Sequence, residues 1–314
     1  MSHSDRHNKD FFTPPLFGFS ILPHKILLMN ITNFVWILTI LIIPLNCLGY
    51  DLFLENENNV KLQKLIKKGD IVWLGSNPAE KFMGIFSRAI STSIKGGCII
   101  MGEPNQHPNW KTVVYPLRTE LPKFGWATLS IQPPMSSSPN SMEEKKSIAE
   151  LVQKRLDTAH DYLTQKKLQN ICIISHGQSA NIATSYISSR QKNKSSITAA
   201  VLISSYDDKL RSTSQNIEKI DINILDIYAE NDWKSVIESS QRRATAAKLA
   251  ATLMRRQPPI PFSTKAQEIT IQKIGNLRYR QKMINGTNHQ FIAQQDYLVK
   301  YIRGWLANYG TDFR

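Results

Sequence analysis

The run ICIISHGQSAN at residues 171–181 passes from an apolar strand into small residues, a setting in which a sharp strand-to-helix turn can present a nucleophile. A serine on such a turn, in the pattern G-x-S-x-G, attacks acyl carbon when a histidine takes its proton and a carboxylate orients that histidine. Two registers fit. In the first, Ser175, His176, Gly177, Gln178 and Ser179 fill the motif and Gly177 stands at the nucleophile position. In the second, residues 177–181 fill it, Ser179 is the nucleophile and Asn181 is a misfit at the last small site. The apolar run ends at Ser175, and Ala180 and Ala183 then fall where a helix must pack closely on a sheet, which favours the first register. Glycine tolerates the strained backbone of such a turn, whereas serine is held there only for chemistry.

A carboxylate and a histidine follow in the order that nucleophile would need. Asp232 lies in YAENDW, after the apolar run at 222–228, and His289 lies in the loop NGTNHQF. Taken singly, Asp232 reads as the cap of a helix starting near Ser235 and His289 as an ordinary loop residue. Together, at the ends of successive strands, they read as the remnant of a triad, with Asp207 as the reserve acid. MGEPNQHPNW at 101–110 follows another apolar strand, where backbone N–H groups near Gly102 and Glu103 can meet a developing oxyanion. Gln106, His107 and Gln178 are the further cleft residues. His107 either stands at the mouth of the site or orders its proline-rich loop by hydrogen bonding.

These residues need a scaffold of strands that end on one side. Residues 70–75 and 81–89 read as strands joined by a hairpin-like turn, and 96–102, 126–132, 170–175, 197–204 and 222–228 as further strands. Helical spacing of apolar residues runs through 142–165, with Ser141 as N-cap and Glu144 three residues on. Helices are also expected at 178–189, 235–256 and near the C-terminus. Strands alternating with helices predict an α/β fold with a mostly parallel central sheet and helices on both faces.

The stretch KGGCIIMGEPNQHPNWKTVVYPLRTELPKFGWATLSIQPP carries a more specific likeness. It resembles an uncharacterised family of exported bacterial α/β-hydrolase-like proteins, a domain of unknown function. The counterparts are Gln106, His107 and Trp110, the strand GWATLSIQ at 125–132, and IRGWL at 302–306. The resemblance spans roughly residues 70–310 and implies a three-layer α/β-hydrolase fold. It also implies that glycine at the turn is a family trait. The chain departs from that pattern with Ser175 and Ser179 in place of flanking glycines, and Asn105 where the loop has glycine. Fold does not fix function, so no activity follows from the likeness alone.

Charge and the N-terminus bound the setting. The 314 residues carry a net charge of +14, and residues 1–50 contribute only +1, so the body carries +13 and favours anionic partners. No nucleic-acid motif is present, and nucleic acid is not an expected partner. Residues 26–50 hold no charge, which fits either a membrane anchor at 26–48 or a signal peptide with an apolar core at 34–45 and a cleavage site at Cys47, Leu48 and Gly49. Either predicts export to the periplasm, soluble or anchored. The expected organisation is a leader at 1–50, a linker at 51–69 and one domain at 70–314. Cys98 and Cys172 sit in apolar runs and read as packed strand residues. No metal-ligand spacing occurs, and neither metal nor cofactor is expected. Residues 239–257 carry Arg242, Arg243, Lys248, Arg255 and Arg256 with no acid, which is either a solvated helix face or a surface for anionic lipid.

Three functions remain open from sequence. The first is a pseudo-hydrolase of the cell envelope that binds a small molecule or envelope component. The second is an unconventional esterase or amidase using Ser179, Ser175 or a water activated by His289 and Asp232. The third is a membrane-surface scaffold working through the basic helix.

Overall fold

The computed structural model describes residues 50–77, 80–136, 141–190, 196–208, 212–255 and 279–311, with the side chains of 251–255 excepted. The uncharged segment at 26–49 and the basic residue Arg256 lie outside them, as does the side chain of Arg255. Among the described residues, no helix is long and apolar enough to cross a membrane.

Eight strands form one sheet: β1 (Asp70–Leu74), β2 (Phe82–Ser87), β3 (Gly96–Met101), β4 (Trp126–Ile131), β5 (Ile171–His176), β6 (Ile197–Ile203), β7 (Asn223–Asn231) and β8 (Tyr279–Asn288). Their spatial order is β1-β2-β4-β3-β5-β6-β7-β8. β1 pairs antiparallel with β2, and β2 antiparallel with β4; every later pair is parallel. The helices are α1 (Leu52–Gln63), α2 (Val114–Glu120), α3 (Met142–Gln165), α4 (Gln178–Arg190), α5 (Thr213–Ile217), α6 (Lys234–Arg255) and α7 (Gln295–Tyr309).

The central strands are apolar on both sides because both sides are covered. Alternate residues along β3 and β5 divide between two cores. Ile99, Met101 and Ile173 pack with Val152, Leu156 and Ala183 of α3 and α4, while Cys98, Ile100, Cys172 and Ile174 pack with Leu117 of α2 and Leu298, Ile302 and Leu306 of α7. Cys98 and Cys172 are register partners on adjacent strands and are free thiols.

α3 begins as its sequence predicts. The Ser141 hydroxyl accepts from Glu144 N at 3.1 Å, and Ser141 N donates to the Glu144 carboxylate at 3.0 Å. Such a cap contributes about 1 kcal/mol. The same helix carries Arg155, fully buried, which reaches Glu55 of α1 at 3.0 Å and the Gln132 carbonyl at 2.8 Å. Residues 51–69 are therefore more than the expected linker. α1 docks through a buried ion pair, and removing either partner would leave an uncompensated charge in the core.

The chain turns one way from β3 to β4 and the other way to β5. This reversal lies between β3 and β5, and open α/β sheets meet their ligands beyond the carboxyl ends of the strands at such a point.

Candidate functional site

Four strand ends supply the site. Glu103 follows β3, His176 closes β5 with Gly177 next, Asp232 follows β7, and His289 follows β8. Gly177 takes a left-handed conformation, φ +58°, between β5 and α4, and its N–H donates to the Ile203 carbonyl at 2.8 Å. That is the turn expected of the first register.

The space a nucleophile side chain would need is occupied. A Cβ built on Gly177 falls inside the carboxylate of Glu103. This carboxylate meets His289, whose Nε2 lies 3.1 Å from Glu103 Oε1. On its other side, His289 Nδ1 lies 2.5 Å from Asp232 Oδ1. Asp232 is held in turn by Ser204, whose hydroxyl donates at 2.5 Å, by Ala229 N at 3.0 Å and by Trp233 N at 2.8 Å. Ser204 adopts φ +50°, a conformation that serine keeps only where the surroundings over-determine it. Trp233 stacks flat on His289, centroids 3.6 Å apart and planes 6° from parallel. His176 is fully buried and donates from Nε2 to the His289 carbonyl at 2.9 Å, which leaves its Nδ1 facing Glu103 Oε2 at 3.9 Å.

The electrostatics follow from this packing. Burial alone would lower the pKa of His289, but Asp232 and Glu103 flank both ring nitrogens and raise it to about 9. It is an imidazolium at neutral pH. Burial opposes ionisation of Asp232, yet hydrogen bonds from His289 and Ser204 outweigh it and hold the carboxyl below its ordinary value. Glu103 is likewise desolvated and still lowered, by His289 and His176 together. His176, desolvated outright, has its pKa lowered and stays neutral.

Several expected residues take other places. The N–H of Glu103, expected to meet an oxyanion, donates instead to Gln106 Oε1 at 3.0 Å. Gly102 permits this, since a Cβ there would stand 2.5 Å from the same oxygen. Ser175 and Ser179 are buried, and their hydroxyls have no hydrogen-bond partner among the described residues; neither meets His289. Gln178 opens α4 and is half-buried. Nδ1 of His107 accepts from Asn109 N at 3.2 Å and its ring packs edge-on against Trp110, so it orders its own loop. Asn105 takes φ +67°, the conformation a glycine would give that position. Asp207 makes no contact with His289 among the described residues and instead binds Ser214 and Arg242.

The basic helix departs from its expected form. Arg243 is fully buried, not a surface residue. It pairs with Asp226 at 2.8 Å and donates to the Ser205 carbonyl and to Ser239. Arg242 and Lys248 are exposed.

Sequence reasoning missed four contributors. These are the Glu103 side chain, His176, Ser204 and Gln290. Gln290 ties the loops together, accepting from Trp110 Nε1 at 3.0 Å and Thr112 Oγ1 at 2.9 Å while its Nε2 donates to Glu103 at 3.4 Å.

The sheet order, the helices on both faces and the residues at these strand ends define a three-layer α/β-hydrolase fold. The chain is similar to the esterase domain of a Rhodothermus marinus protein, with TM-score 0.52 and 11% identity over 76% of this chain and 98% of that one. It is similar to Est1E from Butyrivibrio proteoclasticus, with TM-score 0.50 and 10% identity over 76% and 97%. The dipeptidyl peptidase 4 of Porphyromonas gingivalis matches with TM-score 0.54 and 9% identity, over 80% of this chain and 37% of that chain. At such identities the likeness is one of fold alone. No curated protein matches the sequence. The chain belongs to the family described as protein of unknown function (DUF3530), which matches residues 54–146 and 136–260.

Proposed function

We propose that this chain is a pseudo-hydrolase of the cell envelope, which uses the former active-site crevice to bind a small molecule or an envelope partner. The observation that carries this reading is the Glu103 carboxylate seated in the nucleophile's place beside Gly177. Two further features support it. The Glu103 N–H is taken up by Gln106 and is not offered to an oxyanion, and His289, held between two carboxylates, is mostly protonated at neutral pH and a poor general base. The same protonation weighs against a water activated by His289 and Asp232. Burial of Ser175 and Ser179 away from His289 weighs against a serine nucleophile.

A binding role draws on the rim. Trp233 is 48% exposed while stacked on His289, and Ile292, three residues after it, is 54% exposed. Apolar surface beside desolvated charge suits recognition of an amphipathic ligand or a protein loop. The envelope setting rests on the uncharged segment at 26–50. A membrane scaffold built on the basic helix is weaker, because Arg243 is committed to the core.

The test is intact mass of the full-length protein after treatment with a fluorophosphonate. No adduct is expected in the wild type. A stoichiometric adduct that disappears in Ser175→Ala or Ser179→Ala would mean a live serine hydrolase and end this reading.

A further inference from the structure

Two buried ring nitrogens converge on one carboxylate. His289 Nε2 meets Glu103 alone, at ion-pair distance, and His176 Nδ1 has no hydrogen-bond partner among the described residues. A buried nitrogen left unmatched costs about 1–3 kcal/mol. Both face one carboxylate, Glu103, at 3.1 and 3.9 Å, and ligand atoms of the three residues all lie within 4.8 Å of one another. Four ligands placed about 2.1 Å from a zinc ion stand roughly 3.4 Å apart, and the two nitrogen-to-carboxylate separations of 3.1 and 3.9 Å bracket that edge.

The outer partners match as well. A histidine that binds a metal through one nitrogen donates its other N–H to a carboxylate or a backbone carbonyl. His289 Nδ1 is bonded to Asp232, and His176 Nε2 to the His289 carbonyl. These bonds fix each ring so that its remaining nitrogen faces Glu103; on His289 that nitrogen carries a proton which a bound metal ion would displace. Glu103 and Asp232 together supply the two negative charges that a buried divalent cation requires. Gly177 completes the arrangement, since only the absence of a side chain there lets the Glu103 carboxylate reach both rings.

We propose that Glu103, His176 and His289 form a binding site for a divalent transition-metal ion of the zinc class, with Asp232 as its outer partner. Imidazole nitrogens and one carboxylate suit Zn2+ over Mg2+ or Ca2+, which take oxygen ligands. Three protein ligands leave a fourth position for a water or a ligand atom. This inference goes beyond the pseudo-hydrolase reading: the imidazolium of His289 belongs to the metal-free protein, and the ion takes the place of its Nε2 proton.

The test is equilibrium dialysis of chelator-treated full-length protein against zinc sulfate, with metal counted by mass spectrometry, and Co2+ substitution read by visible absorption. One zinc per chain is expected, with the Co2+ bands of a four-coordinate nitrogen and oxygen site. Glu103→Gln, which keeps shape, and His176→Gln lose stoichiometric binding, while His107→Ala keeps it. Asp232→Asn weakens binding by about 10–100-fold. Circular dichroism checks that each variant is folded, and Glu103→Gln decides the matter if His176→Gln is not. Failure of the wild type to take up stoichiometric zinc overturns the proposal, as does full zinc retention in Glu103→Gln. Either result leaves the fluorophosphonate outcome untouched, so the two readings fail separately.

Discussion

Placing a side chain at position 177 probes the centre of the site. Gly177→Ser introduces a Cβ where φ is +58° and where the Glu103 carboxylate stands. A non-glycine residue in the left-handed region costs about 1 kcal/mol. The collision is the larger part, because Glu103 must rotate toward water and leave His289. Breaking a buried ion pair costs about 3–5 kcal/mol. The Glu103 side chain is 12% exposed, so solvent recovers part of that, leaving about 2–3 kcal/mol. Gly177→Ser therefore destabilises the wild type by about 3–4 kcal/mol in all. In a Glu103→Ala background the same substitution meets no carboxylate, and only the backbone cost of about 1 kcal/mol remains. The double-mutant cycle then gives a coupling of about 2–3 kcal/mol. Guanidinium chloride unfolding of the four full-length proteins, followed by far-UV circular dichroism, measures it. An equal cost for Gly177→Ser in both backgrounds would mean that Glu103 does not fill the nucleophile's place, and the reasoning built on it would collapse.

Two other expectations concern charge. The folded pKa of His289 is raised, so its contribution to stability is complete below the unfolded value near 6.5 and is lost as pH rises through about 9. A shift of that size corresponds to about 3 kcal/mol, reduced to about 2 by the solvent-facing edge of Glu103. Unfolding curves taken across this range with chelator present should show the loss, and His289→Gln should flatten it; equal slopes in both proteins would argue against an imidazolium. Asp232 and Glu103 act in the opposite sense, since their lowered values make stability fall as pH drops below the ordinary carboxylate range. Arg243→Ala strands Asp226 in the core and is expected to cost about 3–5 kcal/mol, while binding to anionic lipid vesicles in a flotation assay stays unchanged. A variant of wild-type stability that loses vesicle binding would restore Arg243 to the surface.

Most of the scaffold was legible because each element announced itself locally. The apolar strands bounded by small residues, the Ser141 and Glu144 cap, and the glycine between β5 and α4 are properties of short windows, and the sheet follows from their alternation. The Asp232 and His289 contact was legible for a related reason, since both sit directly after strands whose ends must share one edge. Arg243 was misplaced although the sequence held the cue. Val236, Ser239, Ser240, Arg243 and Ala246 recur at helical spacing and are all buried, which puts the arginine on the inner stripe of α6. The acid inside the apolar run INILDIY needed a partner, and Asp226 takes that arginine.

Glu103 was hidden for a different reason. Reading it as one more loop residue drew attention to its N–H, whereas its side chain carries the chemistry. The three residues at 103, 176 and 289 are brought together only by the crossing order of β3, β5 and β8, so no spacing pattern could mark them as ligands. One cue was available in principle. A glycine at a nucleophile position vacates the volume of a side chain, and close-packed interiors do not leave such volume empty. Something on a neighbouring strand end had to fill it, and the acidic residue directly after β3 was the group with the reach. The missing side chain at Gly177 and the position of the Glu103 carboxylate are thus two sides of one packing arrangement, which is why Gly177 and Glu103 should be substituted together in any attempt to place a serine on this turn.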